Sequence, residues 1–152
     1  DDLYSELPVL ISNEVVSEKV LNNMYNLSHC TINIASNEGF GLCTLESVAT
    51  KTPVIINKTG GLVDQINKNW TYTVEPSCSI LKGTQKTPYI YSDHTDPNDV
   101  AKQIMNVYKS KEVRMGDYMK FLESKNFTTD TMCRSISNQV DQTISNWSTS
   151  KS

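Results

Sequence analysis

Apolar positions in this chain come in short runs, and the spacing switches repeatedly between an extended and a helical pattern. Residues 1 to 8 are irregular and end at Pro8, and Val9 to Val16 reads as a short strand and its exit. Ser17 is a good N-cap and Glu18 suits a first helical turn. Val20, Leu21, Met24, Tyr25 and Leu27 then mark one face of a helix ending near Ser28, with Met24 and Tyr25 read as core. Cys30 to Ala35 predicts a strand. Leu42, Leu45, Val48 and Ala49 predict a buried helix reaching about Thr50. Thr52-Pro53 ends it, and the β-branched run Val54-Ile55-Ile56 suits a strand covered on both faces. Leu62, Val63 and Ile66 predict a short helix, and Tyr72-Thr73-Val74 a further strand closing at Pro76.

The second half is more helical. Residues 77 to 95 lack periodicity, contain Gly83, Pro88 and Tyr89-Ile90-Tyr91, and read as an insertion that could form a hairpin. Asp93, His94, Asp96 and Asp99 resemble a metal cluster. The plainer reading is a helix start: Asp96 caps, Pro97 takes the first position and Asp99 sits in the first turn. That helix continues through Val100, Ile104, Val107 and Tyr108. Residues 112 to 125 predict another, with Val113, Met115, Met119 and Leu122 apolar. Asn126-Phe127-Thr128-Thr129 breaks the pattern. A last helix from about Asp130 to Trp147 carries Met132, Ile136, Val140 and Ile144 at steps of four, before a polar tail.

Strands alternating with helices predict an α/β domain with a Rossmann-like parallel sheet flanked by helices. Such sheets bind ligands at the carboxyl ends of their strands, and both glycine-bearing loops, around Gly39-Phe40-Gly41 and Gly60-Gly61, follow strand ends. The stretch from Ser36 to Glu46 is the chemical centre of the chain. It is a turn with one acid and two glycines, followed by a helix with a second acid one turn in. A helix start of this kind offers free N–H groups and a positive dipole end to an anion. Carboxylates on either side can accept hydrogen bonds from sugar and ribose hydroxyls. A sugar nucleotide fits that combination.

Glu38 and Glu46, with Gly39-Phe40-Gly41-Leu42 between them, resemble the E-x7-E motif of retaining glycosyltransferases with the GT-B fold, especially glycosyltransferase family 4. The likeness continues through Glu46-Ser47-Val48-Ala49, Thr52-Pro53-Val54-Ile55-Ile56 and Thr59-Gly60-Gly61-Leu62, and more loosely from about Val9 to Trp147. It implies that this chain is part of a C-terminal, donor-binding domain. By that resemblance Glu38 lies against the donor sugar as the catalytic-side carboxylate. The backbone from Gly39 through Phe40, Gly41, Leu42 and Cys43 meets sugar and distal phosphate. Glu46 holds the ribose hydroxyls, and Thr59, Gly60 and Gly61 form a second wall. The donor is expected to be a UDP-, GDP- or ADP-sugar, the acceptor a glycan or other hydroxyl, and no cofactor or metal is called for. The resemblance also implies a facing N-terminal GT-B domain, which the stripe on the last helix could meet.

Two departures from the family pattern stand out. Lys51 occupies the helix end where glycine is usual, so the cap there is either strained or differently shaped; a left-handed residue with a side chain costs about 1 kcal/mol. No segment before Val9 matches the family's diphosphate-neutralising Arg and Lys, so the chain is expected to be a fragment, inactive by itself. That leaves a non-catalytic nucleotide- or sugar-binding module as an alternative, and another GT-B enzyme such as a sugar-nucleotide epimerase as a further one. The tyrosines of residues 77 to 95 read either as an acceptor-side surface that stacks on sugar rings or as a packed excursion.

Bulk properties narrow the field only slightly. The 152 residues suffice for one domain with a core. A net charge of −3 argues against nucleic acid or an anionic membrane as the main partner. No apolar run approaches the roughly 18 residues of a membrane span. Cys30, Cys43, Cys78 and Cys133 are widely spaced, which predicts reduced thiols in an intracellular, cytoplasmic setting, with Cys30 and Cys43 as small buried residues. Any peripheral membrane association is expected to rest with other parts of the protein. N-x-S/T sequons start at Asn26, Asn57, Asn69, Asn126 and Asn146 and are read as chance, since Asn26 falls on a helix and Asn57 at a strand end beside the site.

Overall fold

Val54-Ile55-Ile56 lies at the centre of the fold, as an unbroken β-branched run should. In the computed structural model, which describes residues 9–110 and 118–149, this run belongs to β2 (Val54–Asn57), all four residues of which are buried. β2 pairs in parallel with β1 (Thr31–Asn33) on one side and β3 (Thr71–Val74) on the other, giving the order β1-β2-β3. Helices α2 (Leu42–Ala49) and α3 (Pro97–Lys109) and the 3-10 helix Gly60–Gln65 pack on the sheet, whereas α1 (Glu18–Leu27), read as having a core face, buries no residue, and Val20, Met24 and Leu27 are exposed. The α/β, Rossmann-like expectation therefore holds.

The two faces of β2 feed two cores. Val54 and Ile56 pack with Val48, Leu62 and Trp70, joined by Ile66, Tyr118 and Phe121. Ile55 points the other way, to Val74, Val100 and Val107, joined by Cys30 and Tyr72. Trp70 is 1% exposed and is the largest fully buried side chain, although nothing in the periodicity singles it out.

Helix α2 departs from its apolar pattern. Its inward residues are Thr44, Ser47 and Val48, whereas Leu42 is 67% exposed and Ala49 is also exposed. The hydroxyls win because each is bonded: Ser47 Oγ lies 2.8 Å from Thr31 Oγ1 and 3.1 Å from the Thr52 carbonyl, and Thr44 Oγ1 accepts from Asn33 Nδ2 at 3.3 Å. The helix ends with Lys51 left-handed at φ 64°. Lys51 N donates to Val48 O at 2.9 Å and Thr52 N to Ser47 O at 2.9 Å, the Schellman arrangement. The strained option is thus the one realised, and the Lys51 ammonium rests over the Tyr118 ring. Helix α4 (Tyr118–Ser124) closes the same way at Asn126, φ 56°, the first residue of the predicted break.

Val9 to Val16 is not a strand: it has no sheet partner among the described residues and only Val16 is partly buried. Extended residues become a strand only where a neighbour supplies the ladder, and no neighbour does so here. Of the 112-to-125 helix, Val113 and Met115 lie outside the described residues. Residues 77 to 95 do form an antiparallel hairpin, β4 (Cys78–Thr84) and β5 (Thr87–His94). Asp96 caps α3 by accepting from Asn98 N at 2.8 Å, as the helix-start reading requires. Only Val100 and Val107 of α3 are buried, while Ile104 and Tyr108 are exposed. The last helix, α5 (Thr129–Thr149), buries none of its described side chains, and Met132, Ile136, Val140 and Ile144 are exposed. No described helix is long and apolar enough to cross a membrane.

Candidate functional site

Two loops meet at the carboxyl edge of the sheet. The first follows β1 and runs from Ser36 to Gly41; the second follows β2 and holds Thr59, Gly60 and Gly61. Gly61 N donates to Glu38 O at 2.9 Å. A Cβ at Gly60 would stand 2.0 Å from the Glu38 carbonyl oxygen, and one at Gly61 would stand 2.2 Å from that of Gly39. The glycine pair is therefore demanded by backbone packing on the first loop. Asn57, fully buried at the end of β2, ties the strands together by donating from Nδ2 to Ala35 O at 2.6 Å. That burial also removes Asn57 as a glycan acceptor.

Glu38 turns back on its own loop. Its Oε1 accepts from Gly41 N at 3.1 Å and Phe40 N at 3.3 Å, two of the amides that the sequence reading gives to the donor. The Phe40 carbonyl accepts from the buried side chain of Gln65. The Phe40 ring meets Phe127 edge-on at 5.3 Å, and Phe127, Phe121 and Trp70 continue that chain of rings into the core. Gly41 has φ 84° and sits immediately before α2. The N–H groups of Leu42 and Cys43, the first two of the helix, have no acceptor among the described residues. Gly39 has no atom within 4 Å of where its Cβ would be, so this point of the loop faces open space.

Cys43 is exposed, against the expectation of a buried thiol, and its Sγ accepts from Asn33 Nδ2 of β1 at 3.4 Å. Cys30 is half-buried, and burial pushes its thiol pKa up. Thr59 is buried and its hydroxyl donates to Asp93 Oδ2 at 2.7 Å. Asp93 also accepts from the Ser79 hydroxyl, and its own N–H donates to Ser36 O at 2.8 Å. These hydroxyls, Ser79 first and Thr59 second, hold the Asp93 carboxyl below its ordinary range. The base of the hairpin is thereby fastened to both site loops.

Glu46 projects from the side of α2 that faces α1. Its Oε2 accepts from the Tyr25 hydroxyl at 3.0 Å. Both line a cavity of about 300 Å³ with Glu18, Leu21, Ala49 and Thr50. Burial, reinforced by the bond to Glu46, pushes the Tyr25 phenol far above its ordinary pKa, so it remains a donor. The two motif carboxylates thus stand on separate walls, Glu38 at the helix start and Glu46 in the groove between helices. Sequence reasoning took Tyr25 as core and passed over Gln65; their partners lie 21 and 25 residues away, a distance at which no local spacing signals a contact.

The family described as glycosyl transferases group 1 matches residues 9–118. An uncharacterized glycosyltransferase of Methanocaldococcus jannaschii is 27% identical over 119 residues, a match covering 66% of this chain and 30% of the relative. The chain therefore spans about 30% of the length of the curated relative it matches.

Proposed function

Because the chain belongs to the glycosyl transferases group 1 family, we propose that it carries the donor site of a retaining, GT-B-type glycosyltransferase that moves a hexosyl group from a nucleotide diphosphate sugar to an acceptor hydroxyl. The observation that carries this reading is the start of α2. Two amides with no acceptor among the described residues, Leu42 and Cys43, open the helix, in chain order between Gly39, whose Cβ position is open, and Glu46 one turn further on. A diphosphate at those amides is met by aligned N–H dipoles. The nucleoside half then extends toward Glu46, whose carboxylate accepts the ribose hydroxyls. The sugar half extends over Gly39. Glu38 keeps the loop in shape through Oε1, which leaves Oε2 for sugar hydroxyls. Retention and the hexosyl group are what the E-x7-E resemblance implies. The acceptor approaches from the hairpin side, where Tyr89 and Tyr91 are exposed and share one face of β5.

One observation favours a binding module without turnover. Among the described residues no lysine or arginine is bonded to the Ser36–Glu46 stretch: Lys58 pairs with Glu75, and Lys51 lies over Tyr118. Neutralising a leaving diphosphate would then fall to residues elsewhere in the protein.

Calorimetric or NMR titration with UDP, GDP and ADP and their glucose and mannose conjugates tests the reading. One nucleotide should bind, with affinity reduced roughly tenfold in Glu46→Ala, the worth of a hydrogen bond to a charged group. Glu38→Ala should leave the bare nucleotide affinity in place while reducing sugar transfer by the full enzyme. Equal loss of nucleotide affinity in both variants would overturn this division of roles, and absence of binding by the folded chain would overturn the donor site.

A further inference from the structure

Glu46 is an exposed side chain on an eight-residue helix, and an exposed glutamate ordinarily samples several rotamers. Here one rotamer is held from outside the helix. The Tyr25 hydroxyl reaches it from α1 at 3.0 Å. Tyr25 itself has little freedom. Its carbonyl accepts from the buried Thr52 hydroxyl at 2.8 Å and from Ser28 N at 3.1 Å, which pins the last turn of α1 to the end of α2. Its ring is half-buried in the groove the two helices share. A phenol has one proton to donate, whereas a carboxylate has about four acceptor positions on two oxygens. The bond therefore uses part of Oε2 and leaves Oε1 free.

We propose that Tyr25 is a positioning residue that presents the Glu46 carboxylate to the vicinal hydroxyls of a ribose, and so sets the preference of the site for ribonucleotides over nucleotides lacking those hydroxyls. This rests on the donor-site reading above. Fixing the acceptor before the ligand arrives removes a rotamer cost that binding would otherwise bear, and this gain applies only to ligands that hydrogen-bond to it. Burial keeps the phenol protonated, so the donor is present throughout the neutral range.

The test compares the wild-type chain with Tyr25→Phe, which loses one oxygen and keeps the ring. Each is titrated with UDP, GDP and ADP and with the 2′,3′-dideoxy forms of the same diphosphates. Tyr25→Phe should weaken the ribonucleotide roughly fivefold and leave the dideoxy form unchanged, shrinking the discrimination between them. A general disturbance of the groove would instead weaken both forms equally, and that result overturns the inference, as does unchanged discrimination. The effect of Tyr25→Phe should also vanish in a Glu46→Ala background, because it acts through that carboxylate; full additivity overturns it. Should Tyr25→Phe fail to fold, Glu46→Gln serves: it must lose discrimination while binding the dideoxy form as wild type does, and retained discrimination overturns the inference. If no nucleotide binds the folded wild-type chain, the donor-site reading fails together with this inference. Ribonucleotide binding with unaltered discrimination in the variants removes the inference alone.

Discussion

The two glycine loops at the sheet edge use the same residue for opposite ends. In the loop after β2, Gly60 and Gly61 have no room: a Cβ on either would fall within about 2 Å of a main-chain oxygen of the other loop, at 2.0 and 2.2 Å. In the loop after β1, a Cβ on Gly39 would meet nothing within 4 Å, while Gly41 needs its left-handed backbone to turn the chain into α2. One loop is consumed by holding the other in place. The loop that is held presents the amides. In its observed bonds, the second wall expected of Thr59, Gly60 and Gly61 supports the first loop.

Substitution by alanine should separate these roles. Gly60→Ala is expected to be the most damaging, destabilising by about 3 kcal/mol or more, because a positive φ and a clash with rigid backbone act together. Urea unfolding checks it, and a change below about 1 kcal/mol would contradict the packing role. Gly41→Ala should cost about 2 kcal/mol, since the conformation is strained but its nearest obstacle, 2.5 Å away, is the Leu62 side-chain end, which can shift. Gly39→Ala should change stability by no more than about 0.5 kcal/mol while weakening binding of a nucleotide sugar more than of the bare nucleotide. Loss of stability without loss of binding in this variant would erase the contrast between the loops.

The smallest effect concerns Asp93, which fastens the hairpin to the held loop through Thr59. Its folded pKa lies below the unfolded value of about 3.9. The stabilisation is therefore fully present above that value and is lost as pH falls through the lower folded one. Unfolding midpoints of the wild type and Asp93→Asn should differ at neutral pH and converge below the usual carboxylate range. A gap that persists at the lowest pH would assign the bond's effect to something other than ionisation.

Much of the fold was legible because it depends on near neighbours. Ser17 and Asp96 cap helices by accepting from amides three and two residues ahead, Pro97 starts α3, and Val54-Ile55-Ile56 can only be a covered strand. Lys51 and Asn126 end their helices at the residues where the patterns break. The errors have a common source. Val9 to Val16 has a strand's composition and no partner, and Leu42 yields its inward place to Thr44 and Ser47 because their hydroxyls are bonded across to β1 and Thr52. Binary pattern counts apolar residues and is blind to a polar group whose partner lies on another element.

The sequence by itself determined the order of strands and helices from Glu18 to Val74, the position of both glycine loops at the carboxyl edge, and a Glu38–Glu46 spacing that resembles a known motif. Turns, caps and β-branched runs act over a few residues, so the chain carries them locally. Only the tertiary structure decided that Gly60 and Gly61 serve the other loop, that Glu38 bonds its own amides, and that Tyr25 reaches Glu46 from a different helix. The last of these joins residues 21 positions apart and the loop packing joins residues 22 and 23 apart. Such contacts exist only once the sheet has brought the strands together, and no local spacing encodes them.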